Sequence, residues 1–387
     1  MKRLLLIIMA AMLTHGIVSA QGSVLTDLIK NPSFELAGGN GWLTDPQYNG
    51  GKITDWHCGN SNNYIAEAWE HNFDIYQEID GLANGLYEVS VQAFYRTASN
   101  AQAYNAYKNK TGEEKVLTEV YCNDLAAPVK NNMAVPFESN LANNCWESYD
   151  GFFFLNGAAS ATEAFKFEDE SRNFTQRVYG VVTDGKLRLG IRNTTGTLNG
   201  RWTMFDNFQL IYRDKDETAL TSVIGDYISL AEALWSNKWY VPDVFYKTLQ
   251  DVKDAEDGDT KYDALIQLVD AYHKSFSFIE AITRLDEALD PNNLYAPAYE
   301  GAYMFRLELH DERYSNFLSV DEAMAAIEEI DMWASTLRDQ AVKIESVAIT
   351  GQKKVFFSLD GKCLPNFQRG INLVRSADGT TRKVLIK

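Results

Sequence analysis

The residues of this chain best suited to chemistry are aromatic rings set beside polar groups. Trp56 and His57 in DWHCGN, Tyr64 and Trp69 in NYIAEAW, Trp146 and Tyr149 in CWESYDG, and the Arg201-Trp202 pair each put a flat ring next to hydrogen-bonding side chains. Sugar recognition asks for this combination: rings stack on C–H faces, and planar polar groups satisfy hydroxyls without heavy desolvation. Arg96, at the end of a strand pattern, is placed either to reach a ligand hydroxyl or carboxylate or to pair with an acidic neighbour. Core packing is the ordinary role of a single aromatic residue and is the expected one for Trp42 and Trp69; for Trp56 and Trp146 both roles stand.

Catalytic machinery is harder to find. Of five histidines, His15 falls in the N-terminal apolar segment, His273 and His310 fall on helical patterns, and only His57 and His71 lie in the β-patterned region. The chain has no HExxH, GxSxG, P-loop or GxGxxG sequence. Asp and Glu are plentiful, so a glycosidase-type carboxylate pair remains an alternative, but no pair is marked out by sequence. The expectation is a binding protein rather than an enzyme.

The elements that must position these residues fall into three regions. Residues 22–213 carry short alternating segments separated by Gly, Asn, Asp and Pro turns, the pattern of an antiparallel sandwich. In residues 75–96, two alternating patterns meet at a Gly/Asn turn. Tyr87, Val89, Val91, Ala93 and Tyr95 form an apolar face there, opposite Leu86, Glu88, Ser90, Gln92 and Phe94. Both this stretch and Val178–Ile191, with Asp184-Gly185 at its turn, read as hairpins. Residues 98–147, rich in Asn and Ala, read as long surface loops.

Past Asp214 the period changes to that of helices. Leu220, Val223, Ile224, Tyr227, Ile228, Ala231, Leu234 and Trp235 make one apolar stripe. Pro242 is placed to open a second helix, Thr260 to cap a third, and Ser319-Val320-Asp321-Glu322 to form a capping box. Residues 216–341 therefore read as a helical bundle. Its Trp235, Trp239, Tyr240, Tyr299 and Tyr303 either fill that core or present a docking face to an envelope protein partner. Residues 343–387 return to strands, a block too small to bury much surface alone.

Length, charge and cysteines bound the setting. At 387 residues, two or three domains are expected, and 45% hydrophobic with 12% aromatic residues is ample for their cores. Lys2-Arg3, the apolar run Leu4–Leu13 and Val18-Ser19-Ala20 have the arrangement of a signal peptide cleaved after Ala20. The run is shorter than the ~20 residues a span requires, and no cysteine follows the cleavage point, so neither an anchor nor a lipoprotein is expected. No later segment is apolar enough to span a membrane. Cleavage leaves 34 basic and 53 acidic residues, a charge of −19. Residues 343–387 hold nine basic and three acidic residues, so the rest carries −25. Such a body does not suit phosphate backbones, and nucleic acid is not an expected partner. Cys58, Cys122, Cys145 and Cys363 lack metal-type spacing; a Cys122–Cys145 bridge and isolated buried thiols are both open.

The edges of the first region carry a resemblance. Asn31-Pro32-Ser33-Phe34-Glu35 with Gly41-Trp42 opens it, and Phe205-Asp206-Asn207-Phe208-Gln209-Leu210 closes it. Tyr76-Gln77 precedes GLANGLY and the long alternating strand between them. In this order the motifs resemble the galactose-binding-like jelly rolls, in particular carbohydrate-binding modules of the cellulose- and xylan-binding kind, over about half of the chain. The resemblance implies a glycan partner and a structural calcium, with Glu35 and Asp206 as the matching carboxylates; calcium takes six to eight oxygens, so backbone carbonyls would complete the shell. The Asn-rich 98–147 insertion departs from that pattern.

The tail FSLDGKCL followed by RGINLVRSADGTTRKVLIK resembles the sorting domains of type IX secretion cargo in Bacteroidota, with Cys363 and Leu364 as departures. Together these readings give a multidomain protein: a signal peptide (1–20), a β-sandwich of jelly-roll type (22–213), an all-α bundle (216–341) and a small β domain (343–387). It is expected to be secreted, periplasmic or surface-exposed and to bind a glycan without catalysis. A structural or adhesin-like role with a protein partner is the alternative.

Overall fold

The computed structural model describes residues 22–45, 47, 53–60, 63–111, 118–140, 146–169, 172–194, 199–236, 241, 243–290, 296–309, 319–340, 355–357, 363–364, 370–375 and 381–386. Two compact units divide the chain, one formed by residues up to Ala231 with Leu249–Asp270, the other by Glu232–Thr248 with the chain from Ala271 onward.

The first unit is a sandwich of two antiparallel sheets with helices packed on it. One sheet takes the order β12 (Thr175–Val182), β6 (Gly85–Arg96), β14 (Trp202–Asp214), β4 (Asn63–Trp69) and β3 (Asp55–Asn60). Short strands β1 (Ser23–Val24) and β9 (Lys130–Asn131) are added on β14 and β6. The other sheet runs β2 (Leu43–Thr44), β5 (Phe73–Asp80), β13 (Lys186–Asn193), β7 (Glu119–Cys122) and β8 (Leu125–Pro128). One core cluster joins Tyr87, Val89, Val91 and Leu210 of the first sheet to Ile75, Val120, Leu187, Leu189 and Ile191 of the second. The apolar face of residues 87–95 thus lies where its alternation places it.

The two hairpins expected from sequence are not hairpins. β5 pairs with β13 and β2, and β6 pairs with β12 and β14, so the Gly81–Asn84 turn carries the chain from one sheet to the other. Asp184-Gly185 does the same between β12 and β13. The two crossings hold each other. Asn84 Nδ2 donates to the Thr183 carbonyl at 2.7 Å, Gly185 N donates to Asn84 Oδ1 at 3.2 Å, and Leu82 N donates to the Gly185 carbonyl at 3.0 Å. A tight turn fixes a reversal of direction, but which partner a strand then takes is set by the face it must bury.

Residues 98–147 are not simply loops. Within them lie α1 (Asn100–Asn109) and the β7–β8 hairpin, whose two-residue turn Asn123-Asp124 has Asn123 at φ 51°. Val120 and Cys122 face the core, so this segment supplies the edge of the second sheet. Cys122 is a buried free thiol, so no bridge to Cys145 forms. Beyond lie a ribbon of β10 (Trp146–Tyr149) with β11 (Phe152–Leu155) and the short helix α2 (Ala158–Ala164).

The apolar stripe of α3 (Glu217–Ser236) is buried against the sandwich, since Ala219, Leu220, Val223 and Tyr227 belong to the same core cluster. Tyr262, Leu265 and Val269, in the first half of α5 (Gly258–Ala288), join them. Between these helices lies α4 (Asp243–Asp254). Asp257, not Thr260, caps α5: Thr260 N donates to Asp257 Oδ1 at 2.8 Å.

In the second unit, α6 (Tyr299–Glu308), α7 (Val320–Ala325) and α8 (Ile327–Gln340) share a core with the second half of α5, through Phe278, Ile282, Leu285, Phe305, Ile330 and Leu337. The Ser319 cap is made, with Glu322 N donating to Ser319 Oγ at 3.1 Å. Trp235 stacks on Tyr246 at 5.1 Å; Trp239, Tyr240, Pro242 and His310 lie outside the described residues. The C-terminal strands β15 (Val355–Phe357), β16 (Cys363–Leu364), β17 (Gly370–Arg375) and β18 (Thr381–Ile386) form one antiparallel sheet in the order β16-β15-β17-β18. Among the described residues no helix is long and apolar enough to cross a membrane.

Candidate functional site

A polar concavity in the first unit lies on the face of β12, β6 and β14 that points away from the core. It encloses about 600 Å³, a size that takes a small ligand. Alternation along β6 turns Glu88, Ser90 and Gln92 into its floor, with Thr175 and Arg177 of β12 on one flank and Gln209, Ile211 and Arg213 of β14 on the other. The segment after α2 builds a wall from Phe165, Lys166, Phe167 and Glu168, with Asn173 beyond. Phe165 is buried, and Phe167 is half-buried, with the Phe137 ring 5.6 Å away and the Arg172 guanidinium 5.3 Å over it.

A β-bulge shapes one end. The register of β14 on β6 slips between Asp206 and Gln209, and Asn207 there has φ 53°. The bulge turns Asn207 into the groove, where its Nδ2 donates to Gln92 Oε1 at 2.6 Å, while Gln92 Nε2 donates to the Phe165 carbonyl at 2.5 Å. At the other end, Glu88 is held from both flanks. Arg177 Nε lies 3.2 Å from Oε1, and Arg213 Nε donates to Oε2 at 2.8 Å. The floor therefore offers neutral amides and hydroxyls at one end and an ion-paired cluster at the other, all on strands whose backbone is fixed.

Behind the bulge sits Asp206, fully buried. Its Oδ1 accepts from Asn207 N at 2.7 Å, and its Oδ2 accepts from Asn63 Nδ2 at 3.3 Å and Asn207 Nδ2 at 3.2 Å. Burial pushes its pKa up to about 7, and the nearby charge of Glu35 adds to the rise. Glu35 Oε1 in turn accepts from Tyr64 N at 3.1 Å. Among the described residues no cation pairs with Asp206, and no group of three or more His, Cys, Asp or Glu is placed to hold a metal. The charges of Glu35 and Asp206 act on each other, and a hard cation such as calcium held by these two carboxylates would need backbone carbonyls for the rest of its shell.

The residues singled out by sequence do not form one site. His57 and Tyr64 stack on each other beside Glu35, with His57 Nε2 3.1 Å from the Glu35 carbonyl oxygen. Trp56 is half-buried against Phe34 at 6.1 Å, so much of its ring serves packing. Arg96, Trp202 and Tyr149 gather elsewhere. Arg96 is only 5% exposed, lies 4.7 Å from the Trp202 ring and 5.2 Å from that of Trp69, and donates to Asn156 Oδ1 at 3.1 Å. Burial pulls its pKa down to about 10. Asn156 Nδ2 donates to Glu147 Oε1 at 2.7 Å, and the Tyr149 hydroxyl donates to Glu147 Oε2.

Trp202 is 2% exposed, with Nε1 donating to Glu67 Oε1 at 2.7 Å, and Arg201 is 1% exposed, donating to Asn72 Oδ1 at 2.5 Å. Burial also brings the Arg201 pKa down to about 10. Trp202 and Arg201 are thus interior residues, because alternation along β14 and the turn before it directs both inward rather than onto a loop. Trp69, expected in the core, is 36% exposed. The Trp146 side chain lies outside the described residues.

Sequence reasoning missed the groove residues Glu88, Ser90, Gln92, Thr175, Arg177, Asn207, Gln209 and Arg213. A signal was present: three polar residues alternate along the strand most deeply buried on its other face. A central strand with a polar outer face needs something polar above it.

No family model matches the chain, and no curated protein matches it. Among solved structures, it is similar to TmCBM61 in complex with β-1,4-galactotriose at 13% identity and TM-score 0.23, over 48% of this chain and 97% of that one. It is similar to the CBM22-1 xylan-binding domain from Paenibacillus barcinonensis at 11% and 0.23, over 51% and 99%. The K3 cleaved adhesin domain of Lys-gingipain from Porphyromonas gingivalis follows at 8% and 0.23, over 49% and 97%. TM-scores this low leave the fold and the function to rest on the chain's own strands and side chains.

Proposed function

We propose that this is a non-catalytic glycan-binding protein whose saccharide lies across the groove on β12, β6 and β14. The observation that carries the reading is the floor itself: Ser90, Gln92, Thr175, Asn207 and Gln209 are neutral hydrogen-bonding groups held on adjacent strands, with the Phe167 ring at the wall. Hydroxyl-rich ligands are matched by many neutral donors and acceptors, and groups already fixed by a sheet lose little entropy on binding. Affinity is modest, because neutral hydrogen bonds exchange with water at small net gain.

Calcium at Glu35 and Asp206 belongs to this reading as a structural ion. It would neutralise both carboxylates and, through Asn207, steady the Gln92 end of the groove. The sequence supports export through residues 1–20, with the helical region as spacer and the C-terminal strands as a sorting-like tail of the Bacteroidota type.

A glycan array probed with residues 21–387 tests the reading. It predicts retention of at least one saccharide class, lost on Gln209→Ala. An array without signal sinks it, and so does retention that ignores every groove substitution.

A further inference from the structure

The geometry points to a saccharide that carries a carboxylate, as a uronic acid does, with Arg177 and Arg213 as its anchor; this rests on the glycan reading above. At the Arg end of the groove the Glu88 carboxylate sits between two guanidinium groups. Its side chain is 3% exposed. Arg177 approaches from β12 and Arg213 from β14, so they flank the central strand. One buried negative charge there faces two partly exposed guanidinium groups, so the carboxylate does not satisfy both.

The donors point the same way. Arg213 spends Nε and Nη2 on Glu88 Oε2, whereas Arg177 reaches Glu88 with Nε alone. Among the described residues no protein acceptor takes the two Nη groups of Arg177 or Nη1 of Arg213, and the Arg177 side chain is 52% exposed. A planar fork with free N–H groups matches a carboxylate in bidentate fashion. Counting every charge on the lining, Lys166, Arg177 and Arg213 against Glu88 and Glu168 give 3 − 2 = +1. With Lys166 engaged by Glu163 at 2.7 Å, the remaining charges of the lining balance, and what is left is local: two guanidinium groups on the one Glu88 carboxylate. The chain as a whole carries −17 and repels polyanions in general, so binding of an acidic polymer would have to come from this local arrangement.

Affinity electrophoresis of residues 21–387 in gels containing polygalacturonate, alginate or glucuronoxylan, each beside its carboxyl-reduced form, tests this. The expected result is at least tenfold stronger retardation by one acidic polymer than by its reduced form. Arg177→Gln should remove that preference while leaving the melting temperature unchanged, and 300 mM salt should weaken it. If reduced polymers, or neutral glycans from the array, bind as tightly as the acidic ones, the uronate inference fails and the glycan reading stands. Dextran sulfate retarding the protein as strongly as the best uronate polymer also overturns it, by showing a general anion site. If neither these polymers nor the array bind, both readings fall.

Discussion

Asp206 is the last paired residue before a β-bulge and Asn207 the first residue within it, and the side-chain amide of Asn207 reaches both Asp206 Oδ2, at 3.2 Å, and the groove residue Gln92, at 2.6 Å. A buried carboxylate is thereby tied to the floor of a surface cavity.

The first prediction concerns pH. Asp206 has its pKa raised from 3.8 to about 7, so between those values the folded state binds a proton that the unfolded state has released. Its carboxyl therefore costs nothing below about pH 4, and its penalty grows as pH rises through 7. In metal-free buffer, the unfolding free energy of the wild type relative to Asp206→Asn should fall by roughly 3–4 kcal/mol from pH 4 to pH 8. Millimolar calcium should recover most of that loss at pH 8. Urea melts at several pH values give the difference, and a flat one contradicts the account.

Arg96 is a buried cation. Held between the rings of Trp69 and Trp202 and bonded to Asn156, it should cost about 2–4 kcal/mol when changed to Ala. Binding of the array saccharide should stay within about twofold once the variant is folded. Unchanged stability with lost binding would return Arg96 to the ligand.

Tyr227 of α3 is buried in the sandwich core. Its hydroxyl accepts from Val181 N at 3.3 Å and donates to Asp124 Oδ2 at 3.2 Å. Tyr227→Ala should destabilise by about 3–5 kcal/mol through the cavity it leaves, and Tyr227→Phe by about 1 kcal/mol. Equal small effects from both, measured by chemical denaturation, would mean that the helix merely rests on the sandwich.

These helix residues show what the sequence could and could not carry. The stripe Leu220, Val223, Tyr227 marks a buried helix face with the right period, but period says nothing of the partner, and here that partner is a β-sheet. The turns at Gly81–Asn84 and Asp184-Gly185 were legible as turns; that each crosses between sheets depends on pairing over long separations, which local alternation does not encode. The alternation of Glu88, Ser90 and Gln92 was legible too. Its meaning was not, because the flanking Arg177 and Arg213 and the Phe165–Phe167 wall arrive from distant segments.

Gly190, mid-strand in β13, is a close-approach position. A Cβ there would lie 2.2 Å from the Ile75 carbonyl oxygen and 2.5 Å from the Tyr121 hydroxyl. Since a backbone atom cannot step aside, Gly190→Ala should cost about 1–3 kcal/mol, whereas Gly225→Ala, with open space around it, should be neutral or stabilising. Thermal melts of the two variants compare them directly.

Cys58 and Cys122 should be silent thiols. Burial and nearby carboxylates push Cys58 up to about 12, and full burial pushes Cys122 higher still. Neither should react with a thiol reagent at pH 8 until the protein is unfolded. Rapid labelling of Cys122 in the native protein, read by peptide mass mapping, contradicts its place in the core.

The groove can be set directly against the loop aromatics by isothermal titration with the strongest saccharide from the array. The account predicts that Gln209→Ala and Arg177→Gln each weaken binding at least tenfold, and that Trp56→Ala and Tyr64→Ala leave it within about twofold. Binding lost at Trp56 or Tyr64 and untouched at Gln209 and Arg177 would contradict it.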